Sequence, residues 1–170
     1  GLAVPGLVDL QINGFAGVDL RDADPDDYAT VARALAARGV TAFQPTFHSQ
    51  PLDAYERSLT TLAEVLAEPP DGARILPAHL EGPFLSPTWN GAHDVSHLLA
   101  PSAELVERLL AAGPVGFVTL APELPGALLL DGHIQLSELP TETTRKTSPA
   151  DIVGDYTAGG RILNVGITAG

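Results

Sequence analysis

Two kinds of hydrophobic spacing alternate along the chain. Short, nearly continuous apolar runs occur at residues 4–10, 40–45, 75–80 and 115–120, lengths that suit strands and are too short for helices. Between them, apolar residues recur every three or four positions. The first such set is Tyr28, Val31, Ala32 and Leu35; the second is Leu52, Tyr55, Leu59, Leu62 and Leu66; the third is Leu105, Val106, Leu109 and Leu110. That spacing places each set on one face of a helix. The predicted helix ends carry the matching chemistry. Asp24 offers a capping side chain ahead of Pro25 and two acids, Gly39 closes the first helix, Pro69-Pro70-Asp71-Gly72 stops the second, and Ser102 and Gly113 bracket the third.

Strands that alternate with helices through short connections predict a parallel sheet wrapped by helices, an α/β fold. Polar residues collect where each apolar run ends: Asp9, Gln11 and Asn13, then Gln44 and Thr46, then His79 and Glu81, then Glu123. Four strands that each deliver polar groups to one rim read as a partial (β/α)8 TIM-barrel-like domain of about four β/α units, spanning residues 1–125. A doubly wound sheet would carry a glycine-rich phosphate turn after its first strand, and Gly14 and Gly17 form no such fingerprint. Neither a P-loop nor a G-x-S-x-G elbow is present.

Residues 126–170 are predicted as an irregular tail. A short strand is expected at 127–133, a loop rich in Thr, Pro and charge at 138–157, and an edge strand at 159–166. Nothing in this tail supplies the other half of a barrel, for which roughly 250 residues are typical.

Composition narrows the function. A net charge of -12, from 21 acidic and 9 basic residues, argues against a nucleic-acid or anionic-membrane partner. The absence of cysteine excludes disulfides and thiolate metal sites, leaving His, Asp and Glu as ligands. No apolar run reaches membrane length and no signal peptide is evident, so a soluble, cytoplasmic protein is expected. A chain that opens on Gly1 and contains no methionine reads as processed or as a fragment.

The densest chemistry is His79-Leu80-Glu81-Gly82-Pro83-Phe84-Leu85, followed by Gly91-Ala92-His93. It lies where a strand runs out into a loop, the place where β/α barrels build active sites. Taken residue by residue, Glu81 is either a metal ligand or a rim carboxylate held by backbone N–H groups. His79 is expected to pack or hydrogen-bond within the sheet, and His48 and His97 to be ordinary surface or helix-start residues. Asp9 either orients ligands or caps a turn, Gln11 and Asn13 hydrogen-bond in the pocket, and Glu123 braces a loop.

These segments, with Pro5-Gly6-Leu7-Val8-Asp9-Leu10-Gln11-Ile12-Asn13-Gly14, Gly39-Val40-Thr41-Ala42-Phe43-Gln44-Pro45-Thr46 and Val118-Thr119-Leu120-Ala121-Pro122-Glu123, occur in the order found in the N-acetylglucosamine-6-phosphate deacetylases. Over residues 4–125 the chain resembles that family of the amidohydrolase superfamily. The resemblance implies hydrolysis of the acetamide of a small amino-sugar phosphate, assisted by one divalent metal ion, zinc. It implies that Glu81 is a metal ligand and that Ala92, His93, Gln11 and Asn13 contact substrate. Many amidohydrolases carry His-x-His after the first strand. Gln11-Ile12-Asn13 stands there instead, and neutral amides are poor zinc ligands, which matches a single-metal variant.

The family's catalytic Asp after the last strand has no recognisable counterpart, and of its two later zinc-binding histidines only His133, in Asp131-Gly132-His133, is a candidate. The chain alone is therefore expected to hold zinc substoichiometrically, to show little or no deacetylation, and to self-associate as a homo-oligomer across an open sheet edge. Two other readings stand beside this one: a catalytically inactive barrel remnant, and a different amidohydrolase acting on a cyclic amide.

Overall fold

In the computed structural model, residues 3–127 and 130 and the backbone of 163–166 are described. The elements run β1 (Leu7–Ile12), β2 (Gly14–Phe15), β3 (Val18–Asp19), α1 (Pro25–Ala36), β4 (Val40–His48), α2 (Leu52–Ala67), β5 (Arg74–Ile75), β6 (Ala78–Glu81), a 3-10 turn (Val95–His97), α3 (Ala103–Ala112), β7 (Val115–Leu120) and β8 (Leu163–Gly166). The main sheet has the order β1-β4-β6-β7-β8, with β5 also paired to β4, while β2 and β3 form a separate small hairpin. Strands β1, β4, β6 and β7 are parallel, and β8 lies antiparallel on β7. The parallel strands sit side by side in chain order with helices between them. That is the winding of a barrel wall, without the reversal of order that marks a doubly wound sheet.

Local sequence explains the helices. At α1, Asp27 N–H donates to Asp24 Oδ1 at 2.9 Å and Asp24 N–H donates to Asp27 Oδ2 at 3.2 Å, a reciprocal cap that satisfies two otherwise orphaned donors. Ser102 Oγ accepts from Leu105 N–H at the start of α3. The helices bury the faces their spacing predicts. Tyr28, Val31 and Leu35 of α1 and Tyr55, Leu59 and Leu62 of α2 join one core with Phe43 and Phe47 of β4 and Leu80 of β6. At about 25 cal/mol per Å² of apolar surface removed from water, this layer is the main stabilising term.

Three differences from the sequence reading bear on the site. Strand β4 does not stop at Pro45 but continues to His48. Pro45 sits opposite Ile12 next to a register shift between Asp9 and Ile12, and such an irregularity tolerates the missing N–H. The third apolar run is interrupted at Leu76-Pro77, so that β5 pairs with β4 before β6 takes over. The hairpin β2–β3 was not foreseen, because its strands are too short to show alternation. The expected edge strand of the tail corresponds to β8, whereas the expected strand at 127–133 falls largely, and the loop at 138–157 wholly, outside the described residues. Among the described residues no helix is long and apolar enough to cross a membrane.

Candidate active site

The site is assembled where β4 and β6 end side by side. Parallel pairing sets Thr46 opposite His79 and His48 opposite Glu81, so two polar pairs are stacked at the carboxyl ends of neighbouring strands. The lower pair is structural. His79 is buried, its Nε2 lies 2.7 Å from Thr119 Oγ1 and its Nδ1 3.4 Å from Thr46 Oγ1, and its ring stands edge-on to Phe117 at 5.5 Å. Burial pushes the His79 imidazole below its ordinary value, which keeps it neutral between the two hydroxyls. It packs and hydrogen-bonds within the sheet, as expected.

The upper pair opens onto a cleft. Gly82 turns the chain off β6 at φ +95°, and the Ser49 hydroxyl occupies the space that a Cβ there would need. The following loop reverses at Gly91, φ +58°, a left-handed conformation that suits glycine. Asn90 clamps this reversal: its Nδ2 donates to the His93 carbonyl at 2.7 Å, while His93 N–H donates to the Asn90 carbonyl at 2.9 Å. The loop thereby folds His93 back onto the sheet. The imidazole returns to within 3.8 Å of the Glu81 carboxylate.

His93 is held by Ser49. The Ser49 backbone N–H donates to His93 Nδ1 at 3.2 Å, and Ser49 Oγ lies 3.0 Å from the same nitrogen. A nitrogen that accepts a backbone N–H carries no proton, so the neutral ring bears its hydrogen on Nε2. That nitrogen faces Glu81 Oε1 at 3.8 Å, beyond direct hydrogen-bond length, with both side chains largely buried. A donor and a carboxylate aimed into the same gap can grip a hydroxyl or a water.

The cleft, about 470 Å³, is bounded by Asn13, His48, Glu81, Trp89, Ala92 and His93. Asn13 reaches it from the turn after β1, with Nδ2 donating to the Thr46 carbonyl at 3.1 Å. Of the residues expected to bind substrate, Asn13, Ala92 and His93 are therefore together with Glu81, and Gln11 is not. Gln11 is exposed on β1, where its backbone N–H donates to Asp9 Oδ1 at 3.1 Å; the cleft begins only after the chain has turned past Ile12. Asp9 is thus engaged within its own strand, neither orienting a ligand in the cleft nor capping a turn. Glu123 lies exposed in the turn after β7, and His97 lies in the 3-10 turn away from the cleft. His133 is outside the described residues.

His48 corrects the expectation of an ordinary surface or helix-start residue. It is the last residue of β4 and a wall of the cleft, standing edge-on to His93 with ring centroids 6.0 Å apart. The apolar run that continues through Phe47 was the sequence signal for it. His48 Nε2 lies 2.7 Å from Arg21 Nη1, and Arg21 in turn grips Asp19 through Nε at 3.1 and 3.2 Å and Nη2 at 2.6 Å. The Arg21 hydrogen bonds hold the Asp19 carboxyl below the usual carboxylate range. Burial, then the charge of Arg21 and the neighbouring His93, push His48 below its ordinary value.

The chain is 42% identical over 130 residues to the N-acetylglucosamine-6-phosphate deacetylases of Bos taurus and Homo sapiens, an alignment covering 72% of the chain. Its fold matches the N-acetyl-D-glucosamine-6-phosphate deacetylase of Mycobacterium smegmatis, solved as a mutant in complex with N-acetyl-D-glucosamine-6-phosphate, with a TM-score of 0.68 and 34% identity over 77% of the chain. Over this stretch the chain is similar in sequence and in fold to N-acetylglucosamine-6-phosphate deacetylases. It spans about a third of the length of the curated relatives it matches, 32% in each of the two named. No family model matches it.

Zinc is the ion that the family resemblance suggests. Glu81 and His93 offer one carboxylate and one imidazole at 3.8 Å, but His93 Nδ1 is engaged by Ser49 and His48 Nε2 by Arg21. Among the described residues no group of three or more His, Cys, Asp or Glu side chains is placed to hold a metal ion. The described donor set therefore does not fit a catalytic zinc, which usually takes three protein ligands.

Proposed function

We propose that this chain carries the substrate-gripping part of a deacetylase site for N-acetylglucosamine 6-phosphate. The overall reaction adds water across the acetamide C–N bond, with the hydroxyl going to the acetyl carbon and a proton to the nitrogen, giving acetate and glucosamine 6-phosphate. The carrying observation is the convergence of Glu81, His93 and Asn13 on one cleft at the strand ends, in a chain aligned with deacetylases over 130 residues.

In this reading His93 donates from Nε2 to a sugar or phosphate oxygen while Ser49 fixes its ring. Glu81 accepts from a hydroxyl or a water, and Trp89 offers a flat apolar surface to a sugar ring. Dependence on a divalent ion is part of the proposal, with Glu81 as one ligand; no step is routed through the ion, because the described donors do not complete its shell. The general acid for the leaving nitrogen is likewise not supplied by the described cleft. The chain is accordingly a binder first, and turnover requires further groups.

The test measures binding and acetate release together on the full chain. Saturable one-to-one binding of N-acetylglucosamine 6-phosphate, weakened by His93→Ala, with acetate release at background, is the expected result. No binding would defeat the reading of the cleft. Zinc-dependent acetate release abolished by Glu81→Gln would defeat the inference that the described site is incomplete.

A further inference from the structure

We propose that Asp19, Arg21 and His48 form a relay that fixes His48 as an Nδ1–H donor in the cleft, making it a second ligand-reading imidazole beside His93. The inference deepens the proposed function and rests on it for the identity of the ligand.

Arg21 has five N–H donors and no acceptor, so the 2.7 Å contact from Nη1 to His48 Nε2 requires a lone pair on that nitrogen. The neutral ring then carries its proton on Nδ1. The guanidinium is itself immobilised. Its Nε and Nη2 fork onto the Asp19 carboxylate, Arg21 N–H donates to Asp19 Oδ1 at 3.0 Å, and the Ser58 hydroxyl donates to the Arg21 carbonyl at 2.6 Å. The planar fork leaves Arg21 little freedom to rotate away.

Position makes this tautomer useful. His48 ends β4 directly opposite Glu81 of β6 and borders the cleft. With it the cleft is lined by an acceptor, Glu81, and a donor, His93 Nε2–H. A donor at His48 Nδ1 adds a second fixed N–H from a different wall, so two imidazole donors border the cleft on rings whose centroids lie 6.0 Å apart. That arrangement suits two oxygens of one small polar ligand, such as the hydroxyls or the amide carbonyl of an amino sugar. Arg21 is a positioning residue here, since all the contacts of its guanidinium noted above go to Asp19 and His48.

The experiment reads the relay and its ligand on the full chain by imidazole ¹⁵N NMR, with N-acetylglucosamine 6-phosphate as the probe. In the free protein His48 should show an unprotonated Nε2 and a protonated Nδ1, and Arg21→Ala should convert this into a mixture of tautomers. On titration both His48 and His93 should shift. His48→Leu should weaken binding about five- to tenfold, the loss that one hydrogen bond produces, and His48→Asn, whose amide nitrogen reaches the place of Nδ1, should recover most of it. A merely structural His48 would not be rescued by Asn in this way. A protonated Nε2 in the free protein, or unchanged affinity in His48→Leu, overturns the proposal. A sugar phosphate that shifts His93 but not His48 overturns it and leaves the proposed function standing, whereas no shift at either ring overturns both.

Discussion

Strands β1 and β4 are hydrogen-bonded neighbours with similar apolar sequences and opposite surroundings. In β4, Phe43 and Phe47 are completely buried, flanked by β1 on one side and β5 and β6 on the other and covered by α1 and α2. In β1, Leu7, Val8 and Leu10 are 64%, 56% and 59% exposed. A near-continuous apolar run in a parallel strand expects cover on both faces. Strand β4 receives it; β1, with a sheet neighbour on one edge only among the described residues, does not. The same contrast holds for chemistry. The end of β4 feeds Thr46, His48 and Ser49 into a bonded network, while β1 contributes Asn13 and leaves Gln11 and Asp9 to satisfy each other. Side-chain position is set by packing on all sides, and among the described residues only the β4–β6 half of this rim has it.

The contrast yields a graded set of outcomes. The largest effect is expected at the core: Phe43→Ala should cost about 3–5 kcal/mol in denaturant unfolding, as deletion of a packed aromatic does. A loss below about 1 kcal/mol would mean that β4 is no better packed than β1. Next comes the buried polar layer. His79→Ala should cost about 1–3 kcal/mol by stripping Thr119 and Thr46 of their shared partner, with thermal melting as the readout.

The same histidine predicts a pH dependence. Burial lowers its folded-state value below the ordinary imidazole value of about 6.5, so the unfolded chain takes up a proton before the folded one does. Its stabilising contribution is full above that unfolded value and is lost as pH falls from there through the lowered folded value. Melting curves between about pH 7 and about pH 5 should show wild type losing stability, and His79→Asn should flatten that slope. The smallest effect is reserved for β1: Leu10→Ser should change stability by less than about 0.5 kcal/mol while reducing any self-association across the open edge. Sedimentation velocity separates the two, and a large stability loss there would show β1 to be covered after all.

Much of this architecture is legible in the sequence because helix and strand periods are local properties. The buried faces of α1 and α2, the Asp24 cap and the four parallel strands follow from spacing and end chemistry alone. Glu81 and His93 are legible because their motifs, His79-Leu80-Glu81-Gly82-Pro83 and Gly91-Ala92-His93, resemble those of the deacetylases. His48 and Arg21 are not, since their pairing depends on β4 running past Pro45, and that depends on an irregular register with β1. Ser49 is invisible for the same reason: its role comes from the space that Gly82 leaves open. Gln11 fails in the other direction, because a polar residue near a strand end need not reach the rim.

The central claim is that Glu81, His93 and His48 line one cleft that accepts an amino-sugar phosphate. Trp89, the chain's only tryptophan, borders that cleft and is 66% exposed, so its emission reports occupancy directly. Titration of N-acetylglucosamine 6-phosphate should give a saturable change in Trp89 fluorescence at one equivalent, with affinity reduced about tenfold or more by His93→Ala. An emission spectrum that does not change with ligand, or a titration that His93→Ala leaves intact, would contradict it.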